Sequence, residues 1–350
     1  MTMRDHLLAR IADSGPMSLA DYMATCLMHP VLGYYTTRDP FGAAGDFTTA
    51  PEISQMFGEL IGLTLAQAWM DQGQPAFTLA ELGPGRGTLM ADVLRATKAV
   101  PGFADALSVH LVETSKPLRQ VQATLVPFAV FHDSIETLPD APLFLVANEF
   151  FDALPIRQFQ RDGRGWRERV VGAVDGELVM GLSPSAPLSE LAHRLQDTKD
   201  GDIVEVCPAL PPIVGGIAQR IAAHGGAAVI IDYGDWNSLG DTFQAVHAHQ
   251  KVDPLATPGR ADLTAHVDFA AIAAACAPLA HSDMTEQGVF LERLGITQRA
   301  QALAAKIGED ALRAHIAAHR RLTAPDQMGH LFKVIGLTPK SAPPLAGLSR

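Results

Sequence analysis

Apolar residues recur at three- and four-residue intervals from Ile53 through Met56, Phe57, Leu60, Ile61, Leu65, Ala68 and Trp69. That stripe predicts one buried helix, capped by Thr49, with Pro51 in its first turn, Glu52 bonding back and Gly73 as its stop. Downstream the period changes. Short apolar runs at 77–82, 109–112, 129–131 and 143–147 alternate with helical stretches at 88–100 and 117–125. Apolar strands separated by helices predict a parallel sheet covered on both faces. A second alternating half holds a helix at 213–224, a strand at 227–231, a helix at 268–276 and a closing strand at 331–337.

Other stretches follow different patterns. Residues 5–28 read as helical, broken at Gly15-Pro16, and 33–49 as a Gly- and Thr-rich loop. From Pro155 polar and apolar positions alternate over 156–182 around Asp162-Gly163 and Asp175-Gly176, which are hairpin signals. They predict an inserted antiparallel β-ribbon. Residues 232–264 read as a long Gly-, Pro-, Asp- and His-rich loop, of a length typical of lids or disordered segments. A charged helical segment covers 291–322.

The predicted fold class is therefore α/β, a doubly wound Rossmann-like sheet with additions. An N-terminal helical extension occupies 1–75 and the first half of the core 76–155. The ribbon insertion takes 156–205, and the second half of the core, with the long loop, 206–280. A helical insertion and closing strand take 281–340, and a tail 341–350.

Composition narrows the partners. The 350 residues are 47% hydrophobic and 19% charged, which excludes global disorder. Twenty-seven Lys and Arg against 38 Asp and Glu give a net charge of −11. This argues against nucleic acid as the main partner and suits a cation or a basic peptide. Cys26, Cys207 and Cys276 are isolated, so neither a disulfide framework nor a cysteine zinc site is expected. The most apolar stretch, 269–280, falls short of the ~20 residues a membrane span needs. The first 18 residues lack a continuous apolar segment, so no membrane span or targeting signal is expected and the cytoplasm is the default. A homodimer stays open.

The first strand runs into Glu81-Leu82-Gly83-Pro84-Gly85-Arg86-Gly87-Thr88 and then a helix. Glycines here let a ligand approach the backbone. Thr88 stands where the dinucleotide fingerprint needs its last glycine, and no Gly-Lys-Ser/Thr makes a P-loop. Glu113 ends the second strand, where a carboxylate reaches ribose hydroxyls, and Asp133-Ser134 follow the third, where an adenine amino group would be read. Each acid alone is equally a solvated strand end. Together on one sheet edge they favour an adenosyl ligand, S-adenosylmethionine, with Glu81, Gly83, Gly85 and Gly87 toward its methionine part.

Several stretches resemble the MidA family of class I methyltransferases. They are His29-Pro-Val-Leu-Gly-Tyr-Tyr35, the run from Gly45-Asp46-Phe47 to Gly58-Glu59-Leu60, the glycine turn, Val112-Glu-Thr-Ser115, Ala147-Asn-Glu-Phe-Phe-Asp-Ala-Leu-Pro155, Ile231-Asp-Tyr-Gly234 and Ala261-Asp-Leu-Thr-Ala-His-Val-Asp-Phe269. The similarity spans nearly the whole chain. Gly240–His249 departs from the family pattern. The resemblance implies a class I methyltransferase sheet, S-adenosylmethionine as cofactor, and methyl transfer to an arginine of a partner protein, such as a respiratory complex I subunit.

Asn148, Glu149 and Asp152 follow the fourth strand at the ligand edge of such a sheet. Asn148 is assigned to the cofactor. Glu149 and Asp152 suit a bidentate grip on a guanidinium, although Asp152 equally caps a turn. Asp46 and His266 complete the candidate catalytic set, Asp46 raised by the resemblance and His266 as a polar contact or base. Asp232 and Tyr233 are open between pocket and turn. His247-x-His249 and His266-x-Asp268 lack the companions of a metal site, and no metal is expected. Two rivals remain: a cofactor-binding assembly chaperone, and a methyltransferase for a small metabolite.

Overall fold

The computed structural model describes residues 1–37 and 48–350. Its central sheet uses β1 (Phe77–Leu82), β2 (Leu107–Val112), β3 (Val130–His132), β4 (Leu143–Asn148), β5 (Gly226–Asp235) and β6 (Phe332–Thr338). Their spatial order is β3-β2-β1-β4-β5-β6, and the short strand Ala280–His281 lies beyond β6. The first five are parallel, while β6 runs antiparallel to β5 and to Ala280–His281.

Alternation along each strand builds two cores. Leu79, Phe144, Val146, Val229 and Ile231 face α1 (Gln55–Asp71) and α2 (Thr88–Thr97). Ala80, Leu82, Leu145, Ala147 and Ile230 face α4 (Leu210–His224) and the helix Phe269–Ala275. Between them in the chain, α3 (Lys116–Leu125) follows β2. A third core joins the helices Met3–Ser14 and Leu19–Met28 to the ribbon through Leu7, Tyr22, Met23 and Val171. Among the described residues no helix is long and apolar enough to cross a membrane.

The ribbon is present as Arg157–Asp162, Gly165–Val174 and Glu177–Leu182, with Ile203–Val206 completing it. It also pairs with Met17–Ser18, a strand in the segment read as broken helix. The long loop is a correction. It contains a three-stranded sheet, Gln244–His247, Gln250–Val252 and Asp262–Thr264, whose Ala245 and Leu263 enter the third core. Short strands of mixed composition carry too little periodicity to be seen. The single helix from Thr49 is a second correction. Thr49 makes no side-chain cap bond, and the chain forms a short helix, Ala50–Ile53, before Ser54 turns extended and caps α1 through Met56 N–H at 3.2 Å. Glu52 accepts from Thr88 Oγ1 across the glycine turn, and no bond back to Thr49 N–H is present among the described residues. The segment 291–322 is also divided, among Gln287–Arg293, Ile296–Ala304 and Glu309–Thr323.

Candidate active site

Chain order reverses between β1 and β4, so a crevice forms beyond their carboxyl ends. A narrow cleft lies there, walled by Glu81, the 83–86 turn, Thr49, Glu52, Asn148 and Glu149. Gly83, Gly85 and Gly87 have φ of +58°, +54° and +88°, a region that disfavours side chains. A Cβ on Gly83 would stand 2.9 Å from Phe150 Cδ2. Gly87 N–H closes the turn on Pro84 O at 2.7 Å.

Glu81 is buried, and burial pushes its carboxyl up to about 8. Its Oε2 and the Oδ1 of Asn148 are buried without a hydrogen-bond partner among the described residues. A cradle of backbone and orphaned acceptors of this kind fits a ligand carrying polar hydrogens. Glu81, the glycine turn and Asn148 would hold the methionine part of S-adenosylmethionine.

Glu113 is tied in from below. Ser115 N–H donates to its Oε1 at 2.7 Å and Gln122 Nε2 to its Oε2 at 3.3 Å. Burial raises its carboxyl above the ordinary range, against these donors. The same Gln122 Nε2 donates to Gly85 O at 2.7 Å, so one side chain joins the glycine turn to the end of β2. Sequence reading missed Gln122. Its signal was a glutamine four residues after Leu118 on the buried face of an amphipathic helix. Asp133 is exposed and paired with Arg119 at 2.6 Å, and Ser134 precedes the turn Ile135–Thr137. Neither belongs to the cleft wall.

Glu149 has φ of +52°, which for a non-glycine residue costs roughly 1–3 kcal/mol. Ala50 N–H at 3.0 Å and Asn148 Nδ2 at 2.9 Å both donate to its Oε1. Burial, against the Ala50 donor and with Asp152 adding to it, pushes its carboxyl up to about 7. Asp152 sits behind the wall. Tyr233 Oη donates to its Oδ2 at 2.7 Å, while Oδ1 is buried without a partner among the described residues. Burial brings it to about 6. The turn-capping role belongs to Asp232 instead, which accepts from Phe151 N–H at 3.0 Å and Asp152 N–H at 3.3 Å. Its carboxyl is raised well above the ordinary range by burial and by Asp152 and Glu149. His266 packs edge-on against Tyr233, with ring centroids 5.4 Å apart, and lines a different hollow. Burial lowers its imidazole from the ordinary value. Asp46 lies outside the described residues. Asp268 caps the helix Phe269–Ala275 through Ala270 N–H at 3.0 Å, so that carboxylate is engaged in helix capping.

A parallel sheet with this order, an antiparallel strand beside β5 and a glycine turn at the switch point define a class I methyltransferase. A family model described as S-adenosyl-L-methionine-dependent methyltransferase matches residues 60–285, and the chain belongs to that family. It is 38% identical over 370 residues to the mouse mitochondrial protein arginine methyltransferase NDUFAF7, covering 96% of this chain and 84% of that one. The fruit-fly homologue is 35% identical over 379 residues, covering 97% and 85%. A crystal structure of a Burkholderia thailandensis relative bound to S-adenosyl-homocysteine superposes with a TM-score of 0.83 at 30% identity, covering 99% of this chain and 94% of that one.

Proposed function

We propose that this methyltransferase acts on an arginine side chain of a partner protein. One observation carries the acceptor: Glu149, Asp152 and Asp232 gather at the ends of β4 and β5, and no Lys or Arg among the described residues is ion-paired with any of them. Burial raises all three carboxyls, and Arg321, close enough to lower Glu149 but not ion-paired with it, does not offset this. A guanidinium entering beside them would supply the missing charge and a fork of donors. The protein arginine methyltransferase relatives support the same acceptor.

Bound S-adenosylmethionine supplies a methyl group on a sulfonium. The protein's own contribution is positioning, worth up to about 7–11 kcal/mol in well-oriented reactions. Oε1 of Glu149 is committed to Ala50 and Asn148, so Oε2 is the oxygen that meets the guanidinium. Tyr233 fixes the Asp152 carboxyl and Asp232 fixes the backbone carrying it. An acid near pH 7 is matched to hold the proton that the guanidinium gives up.

The test is incubation of the enzyme and isotopically labelled S-adenosylmethionine with a basic-protein fraction, followed by peptide mass mapping. Label on arginine side chains is expected. Label found only on small metabolites would replace the acceptor. Absence of transfer, together with intact cofactor binding and a partner that fails to assemble without the protein, would favour the chaperone alternative.

A further inference from the structure

A second hollow, of about 560 Å³, lies between the ribbon and the core. Val204 and Val206 of the ribbon strand Ile203–Val206 form one side, and Ala270, Ala271 and Ala274 of the helix Phe269–Ala275 the other. Small-molecule sites span about 300–1,000 Å³, and a groove of this volume has room for a few side chains of a peptide segment. Its wall adjoins the acid cluster at two points. Phe151 donates its N–H to Asp232 and precedes Asp152, and His266 packs on the ring of Tyr233, which holds Asp152.

The charge in the wall is one-sided. Glu190, Glu205, which accepts from Gln158 and Thr242, and Asp268, the helix cap, line it with His193, His266 and one guanidinium, Arg194. That cation is already engaged: Nε binds Asp197 at 2.9 Å, and Nη2 reaches the carbonyls of Asn237 and Ser238. An apolar trough with an acidic margin is complementary to an apolar segment that carries basic side chains.

We propose that this groove receives an extended apolar stretch of the acceptor protein, adjoining the arginine presented to Glu149 and Asp152. It rests on the arginine reading above and deepens it: the acceptor would be an unfolded or terminal segment, selected by apolar neighbours of the arginine.

Three fluorescein-labelled peptides test this: one arginine flanked by Leu and Val, the same arginine flanked by Ser, and a lysine flanked by Leu and Val. Binding is read by anisotropy with S-adenosyl-homocysteine present, and methyl transfer by mass. Ala274 is exposed, so Ala274→Trp fills groove space without entering the core. Ala271→Leu is the milder companion. The Leu/Val-flanked arginine peptide is expected to bind wild type about tenfold more tightly than the Ser-flanked one. Ala274→Trp should remove that preference while calorimetric affinity for S-adenosyl-homocysteine stays unchanged. Equal binding of the two arginine peptides by wild type, or undiminished preference in both variants, overturns the groove. If both Leu/Val peptides bind alike, the variants weaken both and no arginine is methylated, the groove stands and the arginine acceptor falls. If arginine is methylated with one KM in wild type and both variants, the arginine acceptor stands and the groove falls.

Discussion

Glu149 combines a left-handed backbone, a carboxyl raised to about 7 and a place in the cleft wall, and no structural need of the sheet explains all three. Glu149→Gln keeps the shape and removes the charge. Its affinity for S-adenosyl-homocysteine should stay near wild type, while single-turnover methyl transfer falls by about 10²-fold or more. Asp152→Asn should fall in the same direction and less, and the double variant by less than the product, because both act on one group. A wild-type rate for Glu149→Gln would make the residue structural. Glu81 gives a different signature. Its carboxyl ordinarily titrates at 4.5 and here at about 8. Below pH 4.5 both folded and unfolded chains hold the proton. Between 4.5 and 8 the unfolded chain releases it while the folded one keeps it, so wild-type stability falls as pH rises. The melting temperature of Glu81→Gln should match wild type at pH 4, exceed it increasingly through neutrality and level off above pH 8. A gain that does not depend on pH would assign it to packing. Both acids were legible in sequence because each stands within two residues of the end of an apolar run. Asp232 as the clamp and Tyr233 as the holder of Asp152 were not, since a strand end in sequence does not say where its side chain points.

At the scale of elements, the donor site depends on the tie from α3 to the glycine turn. Gln122→Ala removes the donor to Gly85 O and to Glu113 Oε2 together, and leaves both acceptors without it. Hydrogen bonds to charged groups are worth ~1.5–3 kcal/mol. Affinity for S-adenosyl-homocysteine should drop about tenfold in calorimetry, with Glu113→Ala at least as severe. Unchanged affinity in both would move the ribose elsewhere. The strands feeding this site were readable because burial on both faces leaves them mostly apolar, as in the run 143–147. The sheet inside 232–264 was not, because its strands hold three or four residues each among Gly, Pro and His. The break at Ser54 was hidden for another reason: the apolar stripe continues across it, and only the backbone, at φ −160° and ψ 135°, leaves the helix.

Across the whole molecule, one carboxylate fastens segments far apart in sequence. Glu59 of α1, nearly buried, accepts from Arg95 at 3.1 Å and from Arg299 Nε at 2.7 Å. Arg299 belongs to the helix Ile296–Ala304, so this carboxylate ties the C-terminal helices to the core. Arg299→Ala should lower stability by about 1–2 kcal/mol in urea unfolding, less than a fully buried pair because the guanidinium is half exposed. Arg299→Lys should recover part of it. No loss in Arg299→Ala would show that Arg95 suffices. Sequence showed the core halves as units but not that the N-terminal helices, the ribbon and the small sheet share one apolar interior, since those contacts join residues over a hundred positions apart, as in Met17 to Val171 and Tyr22 to Pro254.

The antiparallel strand beside β5 has a consequence during synthesis. Asp232 pairs with Lys333 and Tyr233 with Phe332, so the strand bearing the clamp on Asp152 stays an open edge until the ribosome has delivered residues 332–338. A nascent chain of some 300 residues would hold a complete glycine turn and all four earlier strands, yet its acid cluster would rest on an unfinished edge. Chains stalled before residue 332 should therefore engage chaperones, and the methyl-transfer centre should mature only with the last strand.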